Sequence, residues 1–287
     1  MPDETKDREA PGAVSEASGK KPGSLLTGVA FTYCPGSGCT HGSLNRLLAG
    51  IIGELGIRSK VILVGPVGCA EGIVKYIDVD AVEAPHGRAT AVATGIKRSL
   101  PDRVVITYQG DGDLAAIGIA EVMHAATRGE RISTVFLNNT VFGMTGGQMA
   151  PTSLIGQRTT TTPFGRDAQL SGMPFHVAEI LTRLPGTAYV ARTAMNSTAN
   201  VAVTREAILR ALEAQMQDRG FSIVEVMGIC PVGWKMTPRD ANTHLADQII
   251  GEYPLQLFKD CVGSCDGGTG DGQVGPWTGD GGRGPQG

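Results

Sequence analysis

The chain has 287 residues, 41 of them glycine, with 41% hydrophobic, 18% charged and 5% aromatic residues and a net charge of −3. That apolar content is enough to bury a core, which excludes a wholly disordered protein, and the lack of any basic block argues against nucleic acid as a partner. No stretch reaches the ~18 uncharged apolar residues of a membrane span and no apolar h-region opens the sequence, so no membrane association and a cytoplasmic location are expected.

Residues 1–28 carry few apolar side chains and read as a flexible segment, because so little buried surface cannot offset the entropy of ordering. Residues 29–260 then read as one α/β domain in which helices and strands alternate. Leu44, Leu47, Leu48, Ile51, Ile52 and Leu55 share one helical face, and Gly56 stands where that helix should end. A strand is predicted over Lys60–Val64, a helix over Ala89–Leu100 stopped by Pro101, and a strand over Arg103–Gln109. A helix over Leu114–Arg128 ending at Gly129 follows, then a strand over Ile132–Asn138. Later come a strand at Ala188–Ala194, a helix over Thr204–Arg219 and a strand at Phe221–Met227. Strands joined by crossover helices imply a mostly parallel sheet with helices on both faces, whose ligands bind beyond the carboxyl ends of the strands. Residues 261–287 are Gly-rich and read as a flexible tail, with Cys261 and Cys265 incidental to it.

The strand Arg103–Gln109 runs into Gly110-Asp111-Gly112-Asp113, and the next strand runs into Asn138-Asn139. One βαβ unit fits this spacing, which would set Asp111 and Asn139 side by side at one sheet edge. A carboxylate, an amide oxygen and a nearby backbone carbonyl, for which Val141 is well placed, are hard ligands suited to Mg²⁺ with phosphate oxygens. The glycines allow close backbone approach to an anion, which the positive end of the following helix also favours. Taken alone, Gly-Asp-Gly serves equally well as a strand-to-helix turn with Asp as cap. The paired Asn shifts the balance towards a metal site. This arrangement resembles the thiamine diphosphate motif, in which an Asp and a downstream Asn hold the Mg²⁺ that grips the diphosphate.

The resemblance becomes specific over Tyr108–Arg166. There QGDGDLAAIG and NNTVFGMTGGQMAPTS are similar to the β subunit of 2-oxoacid:ferredoxin oxidoreductases, the branched-chain 2-oxoacid and 2-oxoglutarate types above all. It extends from Tyr33 to Asp260. It implies a thiamine diphosphate-binding fold and a subunit of an enzyme that cleaves a 2-oxoacid to CO₂, acyl-CoA and two electrons for ferredoxin. In such enzymes the pyrimidine-binding domain, with the Glu that activates thiamine, belongs to an α subunit. Since 29–260 has room for one such unit, the resemblance implies an obligate hetero-oligomer with α and further γ/δ-type subunits. The chain by itself should then be inert. GMTGGQMAPTS leans towards branched-chain substrates such as 2-oxoisovalerate, with 2-oxoglutarate as the alternative.

Four cysteines bear on electron transfer. Cys34 and Cys39 lie before the first helix, Cys69 follows the Lys60–Val64 strand, and Cys230 follows the Phe221–Met227 strand. Their spacing alone is compatible with a 4Fe–4S cluster, structural Zn²⁺ or four unrelated buried thiols, and favours the last. The resemblance reverses that order, because Cys34, Cys39, Cys69 and Cys230 match the family's 4Fe–4S ligands. One departure stands out: the gap in the first pair is four residues rather than two.

The remaining candidates surround this core. His41, directly after the cysteine pair, is expected near the cofactor. His86 and Arg88 in PHGRA read locally as a turn with a capping His; the resemblance turns them towards thiamine or the substrate carboxylate. Met144 and Thr145, in the Gly-rich stretch 143–148, are expected to wrap the cofactor, with Thr145 donating a hydroxyl hydrogen bond. His124, His176 and His244 read as packing or solvent-facing residues. Two rival functions fit parts of the same pattern, a non-oxidative thiamine decarboxylase or ligase component without a cluster and a non-catalytic zinc-binding or assembly subunit.

Overall fold

The computed structural model describes residues 25–29 and 38–262; Cys34, Cys265, the N-terminal segment up to residue 24 and the tail from residue 263 lie outside them. Among the described residues nine strands form the frame: β1 (Val61–Gly65), β2 (Asp80–Glu83), β3 (Val104–Gly110), β4 (Ser133–Asn138), β5 (Val141–Phe142), β6 (Gln148–Met149), β7 (Thr187–Ala194), β8 (Phe221–Met227) and β9 (Gln256–Asp260). Seven of them build one sheet in the order β2-β1-β3-β4-β8-β7-β9, and β5 and β6 make a separate two-stranded piece. Every pairing in the large sheet is parallel except β7 with β9. The sequences VVITYQ, STVFLN and FSIVEVM are buried over nearly their whole length, as expected of strands covered on both faces.

Helices α1 (Thr40–Glu54) and α5 (Thr198–Met216) cover one face, where Leu44, Leu48, Ile208 and Leu212 pack with Leu63, Ile106 and Val224. Helices α2 (Ala89–Ser99), α3 (Ile119–Arg128) and α4 (Val177–Thr182) cover the other, with Ala93, Val122, Ala125 and Leu181 against Val105, Phe136 and Ile223. A third cluster, built on Met227, Ile229, Leu245, Ile249 and Tyr253, includes α6 (Pro238–His244).

Several elements differ from the sequence reading for identifiable reasons. The expected helix Leu114–Arg128 is broken: Gly112–Ile117 winds as a π-helical turn and α3 starts only after Gly118. Such turns interrupt helices mostly at functional sites. Helix α5 begins six residues earlier than predicted because Ser197 caps it, accepting from the Asn200 N–H. β2 escaped notice because all four of its residues are exposed, and β9 because its short stretch lies at the sheet edge. The packed body also exceeds the expected 29–260. Leu26 bridges Ile77, and Cys261, which is disulfide-bonded, and Val262 are buried in the core.

One polar network lies within this apolar frame. Glu225 sits mid-strand in β8 and is buried, yet its Oε2 accepts from Arg192 Nε at 2.9 Å and its Oε1 from Asn138 Nδ2 at 2.7 Å. Arg192 is 0% exposed, also binds both Glu179 oxygens, and lies 5.2 Å from the Tyr253 ring centroid and 5.1 Å from that of Phe258. Removing one member of such a pair strands the other's charge in a dry interior, which typically costs about 3–5 kcal/mol. Arg192→Met should therefore lower the urea-unfolding free energy by about that amount. A loss within error of zero would show that the network is energetically idle.

Candidate active site

A pocket of about 100 Å³ opens beyond the carboxyl ends of β1, β3 and β4. The chain leaves β1 outwards to β2 and then returns across it to β3, so the pocket lies at a topological switch point, where α/β sheets bind ligands. Gly110, Asp111, Gly112 and Asp113 after β3, and Asn139, Val141, Met144 and Thr145 after β4, all line it. Cys69 joins from the turn after β1, His86 from the loop before α2, and His41 from α1.

The strand register accounts for the meeting of Asp111 and Asn139. Gly110 pairs with Leu137 across β3 and β4, so the two residues leave adjacent strand ends one position out of step. Both are buried, Asp111 at 2% exposure and Asn139 at 4%. Asp111 Oδ1 accepts from the Gly112 N–H at 2.9 Å, and its Oδ2 from the Thr152 hydroxyl at 2.8 Å. Burial pushes the Asp111 carboxyl up to about 7, and the hydrogen bonds that oppose it, from Thr152 and backbone N–H groups, do not offset it. The largest influences on that balance are burial and neutral hydrogen-bond donors. A carboxylate held in this way suits a bound cation. Among the described residues Asn139 Oδ1 accepts one long contact, from the Val141 N–H at 3.3 Å, so it too can serve an ion. A Cβ built on Gly110 would meet nothing within 4 Å, which leaves the backbone there open to a diphosphate.

Asp113 has a different task. Its Oδ1 binds His86 Nδ1 and the Gly87 N–H, each at 2.5 Å, and its Oδ2 accepts from Gln109 Nε2 at 2.6 Å. With its oxygens committed to protein donors, Asp113 fastens the PHG loop to the GDG loop rather than serving a cofactor directly. The seam is tight: Gly87 has φ +74°, and a Cβ there would lie 2.4 Å from the Ile117 side chain. His86 is thereby held against the pocket wall through Nδ1. Gly112 is equally constrained, since a Cβ would lie 2.4 Å from the Phe142 ring.

His41 is buried, contacts the Tyr108 hydroxyl through Nδ1 at 2.8 Å, and is pushed by burial down to about 3, so it is a neutral imidazole at ordinary pH. Thr145 corrects its expectation in part: it lines the pocket, but its hydroxyl donates to Gln148 Oε1 at 2.7 Å within its own turn. Arg88 is a fuller correction. At the N-cap of α2 its guanidinium turns to Glu121 on α3, 2.8 Å away, and it does not line the pocket. Nor is His176 a plain packing residue, for it sits between Glu179 and Glu252 over the Tyr253 ring.

The structure draws two of the cysteines together. A Cβ on Gly143 would lie 3.1 Å from Cys230 Sγ and 3.6 Å from Cys69 Sγ, so both sulfurs flank one point beside the pocket. Cys39 stands at the N-cap of α1, and no group of three metal-ligating side chains is gathered among the described residues. Sequence reasoning missed Thr152, Gln109, Phe142 and Trp234, whose indole donates to the Asn139 carbonyl at 3.0 Å. Thr152 lies 41 residues from Asp111, and although it stands in the MAPTS stretch nothing in the pattern links the two side chains, so only the folded chain could connect them.

Comparisons with known proteins agree with one another. The family model described as thiamine pyrophosphate enzyme, C-terminal TPP binding domain, matches residues 67–226. A ketoisovalerate oxidoreductase subunit VorA from Methanothermobacter thermautotrophicus is 42% identical over 250 residues, covering 87% of this chain and 52% of its own length. The chain thus spans about half the length of that relative. A 2-oxoglutarate synthase subunit KorB from Archaeoglobus fulgidus is 39% identical over 190 residues, 66% of this chain and 67% of the relative. Among solved structures, a 2-oxoglutarate:ferredoxin oxidoreductase from Magnetococcus marinus, with 2-oxoglutarate, coenzyme A and succinyl-CoA bound, matches with TM-score 0.64 and 28% identity, over 76% of this chain and 70% of that one.

The uncompensated carboxylate has a measurable consequence. With its folded value raised to about 7 from the ordinary 3.8, Asp111 favours the fold most below pH 4, and that advantage is lost as pH rises towards 7. Asp111→Asn removes this titration. It should stabilise the metal-free protein at pH 8 by about 1–3 kcal/mol in thermal or urea unfolding and flatten the stability slope between pH 4 and 7. A destabilised variant at pH 8 would show that the buried charge is compensated.

Proposed function

The chain belongs to the thiamine pyrophosphate-binding β subunits of the 2-oxoacid:ferredoxin oxidoreductases, and from that premise we propose that it provides the diphosphate half of an active site for oxidative, CoA-dependent decarboxylation of a 2-oxoacid. The observation that carries this reading is the buried Asp111, without a cation, beside Asn139 at the switch point of the sheet. Asp111 and Asn139, with the Val141 carbonyl, would hold Mg²⁺, and the backbone at Gly110–Gly112 would lie along the diphosphate. Thiamine diphosphate, when bound, supplies the electron sink that lets CO₂ leave.

The chain's own residues position and shield. Asp113 fixes His86 at the pocket wall, where it can contact thiamine or substrate. Neutral His41, Val67 and Phe142 give that wall an apolar character that excludes water. Cys69 and Cys230 supply two ligands of a 4Fe–4S cluster, with Cys39 and Cys34 as the second pair. The convergence of the Cys69 and Cys230 sulfurs on Gly143 supports this assignment.

A branched-chain 2-oxoacid is the favoured substrate, supported by the 42% identity to the ketoisovalerate oxidoreductase subunit, and 2-oxoglutarate is the second reading. The comparisons lend no support to the zinc-binding assembly role. The pyrimidine half, with its Glu, comes from a partner α subunit, alongside γ/δ-type subunits, ferredoxin and CoA. Support comes from exposed apolar side chains: Phe164 is 96% and Leu170 88% exposed on the segment that follows Thr152, surfaces suited to cover by another chain.

Anaerobic purification with natural partners, followed by metal and cofactor analysis and a 2-oxoacid panel, tests the reading. Thiamine diphosphate, Mg²⁺ and iron should co-purify, and the isolated chain given thiamine diphosphate, CoA and 2-oxoacids should show no turnover. Asp111→Ala should lower thiamine diphosphate occupancy at least a hundredfold while leaving the circular dichroism unchanged. Retained occupancy would defeat the metal assignment, and iron absent from this subunit would defeat the cluster.

A further inference from the structure

Between the two proposed ligand positions Asn139 and Val141 stands Thr140, fully buried with φ +61°. Left-handed backbone is rare for any residue with a side chain and most unfavourable for a β-branched one. Among the described residues only Asp218 and Lys235 share it outside glycine, and neither is β-branched. Thr140 is held there from several sides. Its N–H donates to Asn138 Oδ1 at 3.1 Å, and its carbonyl accepts from Ser153 Oγ at 2.5 Å. Gln157 Nε2 donates to Thr140 Oγ1 at 2.8 Å and reaches its carbonyl at 3.4 Å, while Gln157 Oε1 accepts from the Leu154 N–H at 2.8 Å. Asn138 is locked in turn by Glu225.

We propose that Gln157 is a positioning residue: by latching Thr140 in its left-handed conformation it presets the chain so that the Asn139 side chain and the Val141 carbonyl face the same cation as Asp111. This inference rests on the metal–diphosphate reading above. Backbone strain persists only where surrounding contacts over-determine it, and such positions cluster at functional sites. A turn through Thr140 relaxed to negative φ would re-aim both flanking groups. The same loop serves both ligand strands, since Thr152 binds Asp111 and Ser153 and Gln157 bind Thr140. It thus ties the end of β3 to the end of β4 from outside the sheet.

The latch predicts a rescue that a merely structural role would not. Gln157→Leu, in the complex purified with its partner subunits, should weaken binding of Mg²⁺–thiamine diphosphate about tenfold by calorimetry, the size of effect a single strained residue can supply. Thr140→Gly combined with Gln157→Leu should recover most of that loss, because glycine adopts positive φ without a clamp. Manganese alone, followed by electron paramagnetic resonance, gives a second readout independent of the vitamin and of activity, and should follow the same order. Unchanged affinity in Gln157→Leu overturns the latch, as does a double variant no better than the single one. Wild-type protein that binds neither probe overturns the metal assignment itself, and the latch with it.

Discussion

A carboxylate sealed away from water, with no salt bridge to it among the described residues, is the constraint around which this molecule is arranged. Asp111, at 2% exposure, accepts from the Thr152 hydroxyl and backbone N–H groups, neutral donors that do not offset the cost of burying its ionised form. The surrounding structure tolerates that cost because the parts that impose it are rigid. β3 and β4 are central, parallel and buried on both faces, and their register fixes where the two ligand-bearing residues emerge. Glycine at 112 lets the Phe142 ring press onto the turn, and the π-helical winding of Gly112–Ile117 carries the chain away without covering the pocket.

Three buried polar assemblies stand behind that site, each with its own duty. Asp113 joins Gln109, His86 and Gly87, so two loops from different strands move as one. Glu225, Arg192 and Asn138 connect the far half of the sheet to the Asn-Asn turn. Tyr253 completes the ring, donating its hydroxyl to the Thr152 carbonyl while lying beside Arg192. Buried polar groups stabilise only when fully satisfied, and their directional bonds then exclude alternative packings that an apolar core would allow. The pocket walls inherit that rigidity, a condition for preorganised binding.

The pocket is nevertheless one-sided. Met144 at its lip is 60% exposed, and the apolar side chains beyond it face outward rather than into a core. Arg88 extends the same theme: it pairs with Glu121 instead of turning inward, so the described part of the pocket has no arginine of its own for a substrate carboxylate. Recognition of that carboxylate, on the proposed reading, falls to neighbouring chains, and this subunit's share is the anchoring of the diphosphate end.

Much of this was written in local sequence, because periodicity and turn chemistry act over a few residues. The apolar runs of β1, β3, β4 and β8 and the helical face through Leu44, Leu48 and Ile52 announced a parallel sheet covered on both sides. Gly-Asp-Gly after one such strand and Asn-Asn after the next marked the pocket, since one crossover unit must return the chain to the neighbouring strand end. Local pattern could not say which polar side chains meet across tens of residues. The bonds of Thr152 to Asp111 and Asn138 to Glu225, the turn of Arg88 towards Glu121, the division of labour between Asp111 and Asp113, and the approach of Cys69 to Cys230 were decided only when packing brought separate segments within hydrogen-bonding reach. The physical reason is range: backbone preference is set by neighbours in the chain, whereas the charge state and orientation of a buried side chain are set by whatever the fold places around it.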